Sequence, residues 1–239
     1  MLILTIDTCD SRGSLAVLRE DAVLGVSAHE TTEDYSSWLL PAVEGLLSSA
    51  GLRMADVDGY AVAAGPGSFT GVRVGLTTVK AWAEVYGKPI AAVSRLEAMG
   101  VQAAGGERFV AAFTDARRGQ VFGAVFQREG SGLAKVGEEM VIAPGKFMEA
   151  AAELSGGEKM SWVSTDGTPM LVEAAWKERE NRGEKIEQVS ATLAPMIGLI
   201  GTRLLREGKT TDALSLDANY VRRSDAEIFW KGGSAAHGR

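Results

Sequence analysis

The sequence has almost none of the residues on which thiol and metal chemistry depend. One cysteine, Cys9, and two histidines, His29 and His237, serve 239 residues. A single cysteine excludes an intrachain disulfide and a thiolate-rich metal site. Two histidines, one in a glycine-rich tail, leave little from which to build a histidine metal centre. A Cys–His pair or a Ser–His–Asp triad would have to run through His29. No serine has the flanking glycines of the hydrolase nucleophile elbow. Positive charge is also in deficit: 25 Lys+Arg stand against 31 Asp+Glu, a formal charge of −6. That balance gives no support to a sequence-independent nucleic-acid binder, although a local basic patch or a partner can still place the chain in a nucleic-acid pathway. Charges or glycines break every apolar run before it reaches transmembrane length. The start, "MLILTIDTCD", has no basic leader and reads as a strand instead of a signal peptide, so the expected location is the cytoplasm.

What is present is a chain that is 46% hydrophobic and 23% charged, a folded composition with a substantial core. Residues 2–8 read as a buried strand with an aspartate at its carboxyl end, followed by two antiparallel neighbours over 13–20 and 22–30. Residues 34–51 read as a helix with Trp38, Leu39, Ala42, Val43, Leu46 and Leu47 on one side. Asp34 is its candidate cap, Gly51 its terminator, and Pro41 a bend inside it. A strand near 57–64, a helix over 71–87, a strand over 89–93 and a helix from Ser94 to about Ala103 complete this half. The plan then restarts. Residues 107–130 repeat strand, aspartate, glycine turn and strand, with Asp115 and Gly119 in the roles of Asp7 and Gly13. A strand over 133–142, a helix opened by Pro144 and a strand over 159–165 follow. The charged residues 173–187 read as a solvated segment or a crossing between lobes. The last helix, 190–208, turns Leu193, Met196, Ile197, Ile200 and Leu204 to one side. The expected division is a first lobe over 1–105 and a second over 106–224, whose last helix and chain end pack back on the first. Residues 225–239 are expected to form a flexible tail.

Asp7 has two readings: contact with a hydrated ion or phosphates across a cleft, or a turn-capping carboxylate. Arg117 and Arg118 after Asp115 are placed for phosphate or for surface carboxylates, and pairing with surface carboxylates is the favoured reading. Cys9 reads as a packed thiol. The stretch "AAGPGSFTGVRVG", residues 63–75, lacks the lysine of a Walker loop and the spacing of a dinucleotide fingerprint. In it Ser68 or Thr70 is placed to cap a helix, and Gly65 and Gly67 free the backbone around Pro66. Gly71 and Gly75 form a small-residue seam for a second helix. Packing combined with a protein interface is the favoured reading, and anion binding at the helix start is the alternative. Trp38, Trp82 and Tyr86 are either anchors on that surface or core, and Arg73 a fastener of a turn or of a partner carboxylate.

Three stretches, "ILTIDTCDSRGSLAVL", "WLLPAVEGLLSSAGL" and "DVDGYAVAAGPGSFTGVRVGLTTVKAWAEVYGKPIAAVSRLEAM", resemble the bacterial TsaB (YeaZ) family. The closing "DANYVRRSDAE", with Tyr220, Arg222 and Arg223, looks like that family's ending, with Ala218 where proline is usual. The resemblance implies a two-lobed α/β fold of the actin, sugar kinase and Hsp70 (ASKHA) type. It also implies a non-catalytic subunit supporting the paralogue TsaD in forming threonylcarbamoyladenosine at position 37 of tRNAs that read codons beginning with A. A TsaE-type ATPase joins that assembly, and ATP and a metal ion belong to the partner complex, with no cofactor on this chain. Contact with tRNA is made through the complex, no membrane is involved, and a homodimer shares the surface that meets TsaD. Carried onto this sequence, the interface residues are Trp38, Leu39, Val72, Leu76, Val79 and Lys80, while Asp7 and Gly13 match an ancestral phosphate-facing hairpin. The competing reading is a nucleotide-dependent acyl or phosphoryl transferase, or a peptidase.

Overall fold

The run Leu2–Asp7 forms β1 and is buried along its whole length, because helices cover both faces of the sheet it centres. A strand buried on both faces reads as a continuous apolar run, without alternation. It pairs antiparallel with β2 (Ser14–Arg19), in a register from Leu2 opposite Arg19 to Asp7 opposite Ser14. β2 pairs in turn with β3 (Ala22–Ala28). On the other side β1 runs parallel to β4 (Gly59–Ala63), and β4 parallel to β5 (Ile90–Val93). The five-stranded order is β3-β2-β1-β4-β5. The structure is a computed structural model and describes residues 1–30, 33–130, 132–219 and 221.

Helix α1 (Tyr35–Ser49) buries Trp38, Leu39, Val43, Leu46 and Leu47 against β2 and β3. Its spacing is that of an amphipathic helix with one core face. Gly51, at φ +67°, carries the chain out of it. Helix α2 (Phe69–Tyr86) lies beside α1 and packs on β4 and β1. Ser68 caps it, its hydroxyl accepting from the Gly71 N–H at 3.4 Å. Helix α3 (Arg95–Gly100) follows β5, capped by Ser94.

The second half repeats the first strand for strand. β6 (Phe109–Arg117), β7 (Gln120–Glu129) and β8 (Gly132–Ile142) form an antiparallel meander. α4 (Pro144–Leu154) covers β7 and β8, and β9 (Met160–Ser164) returns parallel to β6. The short helices α5 (Thr168–Leu171) and α6 (Trp176–Asn181) lead to β10 (Ile186–Gln188), which lies parallel to β9. The second sheet has the order β10-β9-β6-β7-β8, the first order with each strand advanced by five. The duplicated mixed sheets flanked by helices are the α/β architecture of the actin and sugar-kinase class. α7 (Ala194–Arg206) leaves the second sheet and packs on β1, β2, β4 and β5, opposite α1 and α2. Thr211 then bridges Ile90, and the Asn219 N–H donates to the Ala64 carbonyl at 2.8 Å.

The charged segment 173–187 differs from the solvated reading. Trp176, Arg179 and Glu184 are buried. Arg179 lies over the Trp162 ring at 4.6 Å, donates to Glu184 at 3.0 Å and donates to the Met148 carbonyl at 2.6 Å. The charge run predicts a surface segment, but two of its charges, Arg179 and Glu184, are buried and satisfy each other. Tyr220, Arg222, Arg223, His237 and the tail 225–239 lie outside the described residues.

Candidate functional site

A cleft of about 1070 Å³ opens between the carboxyl end of β1 and the β6–β7 turn, lined among others by Asp10, Ser68, Phe69, Arg95, Arg117 and Phe122. Its floor is an internal ion-pair network. Asp7, at the last position of β1, accepts the Cys9 N–H at 2.9 Å on one oxygen and the Arg95 Nε–H at 3.1 Å on the other. Arg95 Nη2 reaches Asp10 at 3.3 Å. Asp7 and Arg95 are both buried. Burial works against the guanidinium charge, but Asp7 and Asp10 overcome it and hold Arg95 above its ordinary range. Burial likewise opposes the Asp10 carboxylate, and Arg95 outweighs it and holds that carboxyl low. Sequence reasoning passed over Arg95. The available signal was a lone basic residue opening a short helix, "RLEAMG", whose other residues apart from Glu97 are apolar.

An aspartate ending the first strand of this fold invites a metal–phosphate reading, and the residues do not fit one. A divalent cation beside Asp7 would share the carboxylate with a guanidinium already within hydrogen-bond distance, two cations on one buried anion. The β1–β2 turn is also filled. The Gly13 N–H donates to the Tyr35 hydroxyl at 2.7 Å, and that hydroxyl donates to the Asp10 carbonyl. A donor that would face phosphate is therefore spent on α1. Among the described residues, no group of three or more His, Cys, Asp or Glu side chains is placed to hold a metal ion. On the far side of the cleft Arg117 pairs with Asp115 at 3.1 Å.

Cys9 does not meet His29. Its thiol donates to the Ala63 carbonyl at 3.4 Å, and burial pushes it well above its ordinary range. Both ring nitrogens of His29 lie against backbone carbonyls.

The glycine-rich stretch folds onto its own chain. The Ser68 N–H donates to the Cys9 carbonyl at 2.7 Å, and a Cβ at Gly67 would strike that same carbonyl. A Cβ at Gly71 would strike the Thr8 carbonyl, and the Thr8 hydroxyl donates to the Gly71 carbonyl at 2.7 Å. Gly75 faces the Thr8 hydroxyl and Ile6. The Gly71–Gly75 seam thus receives the end of β1, which corrects the expectation of a second helix there. Gly65 takes φ +111°, the Gly65–Pro66 peptide is cis, and Pro66 is buried. Thr70 is exposed, and the capping falls to Ser68.

The interface residues carried over from the family divide by face. Trp38, Leu39, Val72, Leu76 and Val79 are buried against the chain's own core, so they support α1 and α2 from beneath. The reason is the stripe itself: the apolar positions that define each helix are those the sheet claims. Lys80 is half-exposed, as is Trp82, which packs on Tyr60 at 5.9 Å. The outer face carries Leu40 (56% exposed), Val85 (75%) and Tyr86 (39%), and Arg73 stacks over the Phe69 ring at 3.8 Å. Leu40 and Val85 were legible as apolar residues off the stripe.

The class of protein follows from the duplicated sheets. A ROK hexokinase from Thermus thermophilus superposes with a TM-score of 0.50 at 12% identity, over 86% of this chain and 100% of that one, a likeness of fold alone. The family model described as TsaD, tRNA N6-adenosine threonylcarbamoyltransferase, matches residues 19–230. The TsaB protein of Escherichia coli, a tRNA threonylcarbamoyladenosine biosynthesis protein, is 31% identical over 97% of each chain. A Pseudomonas aeruginosa crystal structure, described as similar to peptidase YeaZ, superposes with a TM-score of 0.73 at 26% identity, covering 92% of this chain and 99% of that one. The chain belongs to the bacterial TsaB (YeaZ) family.

Proposed function

We propose that this protein is a non-catalytic subunit that supports a TsaD-like transferase in placing the threonylcarbamoyl group on adenosine 37 of tRNA. The buried Asp7–Arg95 pair carries this reading: the carboxylate that the fold offers for chemistry is committed to an arginine of the same chain. What remains available is surface. The outer face of α1 and α2, with Leu40, Lys80, Val85 and Tyr86, is the docking face, and the buried stripe beneath holds it rigid. Apolar side chains left exposed on α1 and α2 suit a partner helix pair. A second copy of the chain uses the same face when the transferase is absent, so the two assemblies compete. A TsaE-like ATPase joins the complex, and ATP, metal and tRNA are handled there. The site of action is the cytoplasm. Among the described residues no helix is long and apolar enough to cross a membrane.

The experiment is a light-scattering titration of the chain with a TsaD-like protein. The expected result is loss of the homodimer as the heterodimer forms. A homodimer that persists in saturating partner contradicts the shared face.

A cysteine-peptidase reading is disfavoured at Cys9, whose thiol burial holds protonated.

A further inference from the structure

The last two described residues, Asn219 and Val221, both line the cleft. The Asn219 N–H is tied to the Ala64 carbonyl, and Val221 packs half-buried against the first core. The chain is thus delivered into the cleft with eighteen residues, 222–239, still to follow. Asp7 and Arg95 close the floor, but the walls above it are largely apolar, with Pro66, Phe69, Val72, Val74 and Phe122. Apolar surface around a cleft of about 1070 Å³ gains by being covered.

Residues 228–230 are Ile, Phe and Trp, the only run of three large apolar side chains after Val221. Trp230 is nine residues past Val221. That is a reach of up to about 30 Å, enough to lay the run back along the cleft. So short a tether holds it at millimolar effective concentration, where contacts too weak to recruit a separate peptide suffice. The charges match as well. Arg222 and Arg223 follow Val221 directly, and Asp10 and Asp34 stand on the cleft wall, Asp34 without a side-chain cap bond to α1. Asp225 and Glu227 come next, and the β6–β7 turn presents Arg117, 80% exposed.

We propose that residues 222–230 turn back into the cleft and plug it, with Ile228, Phe229 and Trp230 against its apolar wall. The protein's own side chains then close a volume large enough for a small-molecule ligand. The plug belongs to the chain alone and stands or falls independently of whether α1 and α2 dock a transferase.

The test uses the full chain carrying fluorotryptophan, with Trp230→Phe to assign the Trp230 signal. A nitroxide is attached at Thr70→Cys, an exposed position on the cleft, or at Ser48→Cys, exposed at the opposite end of α1 from the cleft. Cys9, buried with its thiol held protonated, stays unlabelled. The expected result is a Trp230 ¹⁹F line broadened beyond detection by the Thr70 label and untouched by the Ser48 label. In a mixture of nitroxide-bearing and fluorinated chains the line should stay sharp. Broadening there would assign the contact to a second copy's tail and overturn the proposal. Ile228→Ser, Phe229→Ser and Trp230→Ser together should empty the cleft, so that fluorescence of the apolar dye ANS rises severalfold while the melting temperature holds. A Trp230 line that stays sharp beside the Thr70 label, or dye binding unchanged by the triple substitution, also overturns the proposal.

Discussion

Arg95 Nε lies 3.1 Å from Asp7 Oδ2, across 88 residues of sequence, and neither side chain reaches solvent. The pair joins the end of β1 to the start of α3 and closes the floor of the cleft. Arg95→Met leaves an unpaired carboxylate behind and should cost about 3–5 kcal/mol in urea denaturation at neutral pH. Adding Asp7→Asn to it should recover most of that loss. An Arg95→Met protein as stable as the parent would show that the pair is not closed in solution.

The same arginine sets an acid limb of the stability curve. The Asp10 carboxyl is held below its unfolded value, against the burial that opposes its charge. The stabilisation is complete above about pH 4, the unfolded value, and is lost as pH falls through the lower folded value. Arg95→Met should flatten that limb, read by thermal melts between about pH 2 and 5.

Glu97 and Glu139 should give the opposite sign. Burial raises both carboxyls, despite the Arg203 partner of Glu97 and the Ser94 and Asn219 donors to Glu139. The folded state then holds protons that the unfolded state has released. Stability falls as pH rises from about 4.3, the unfolded value, through the raised folded values. Glu139→Gln should reduce that slope in melts across this window, and an unchanged slope would locate the proton uptake elsewhere.

Gly67 and Gly71 test the stretch that resembles a phosphate loop. Their Cβ positions are occupied by the Cys9 and Thr8 carbonyls. Alanine at either site should destabilise by about 1–3 kcal/mol through overpacking, seen as a lower urea midpoint. A stable Gly71→Ala protein with altered anion binding would favour the anion reading instead.

Much of the fold was legible in the sequence because period and punctuation agreed. The apolar run Leu2–Ile6, the α1 stripe, Gly51 and the second Asp–turn–Gly hairpin each state their element locally. The site was less legible, since its deciding contact pairs residues from distant elements. Nothing near Asp7 announces Arg95. Interface residues are hard to read for a related reason: Leu39, Val72 and Val79 are conspicuous because they are apolar and periodic, which is also what sends them to the core. The segment 173–187 misled through charge count, since Arg179 and Glu184 answer each other and Trp162 beneath.

The division between supporting and docking residues is open to direct measurement. Leu40→Glu and Val85→Glu alter exposed positions, so melting temperature should hold while affinity for a TsaD-like partner falls at least tenfold. Leu39→Ala should cost about 2–5 kcal/mol of stability. Equal affinities for the parent and both surface variants would move the docking face elsewhere.

Reconstituted tRNA modification tests the central claim most directly. A TsaD-like transferase, a TsaE-like ATPase, threonylcarbamoyl-adenylate, ATP and unmodified tRNA are combined with and without this chain, and threonylcarbamoyladenosine is counted by mass spectrometry. The account predicts full modification only with the chain present, and none from the chain alone. Full modification in its absence, or turnover by the isolated chain that Asp7→Asn abolishes, would contradict it.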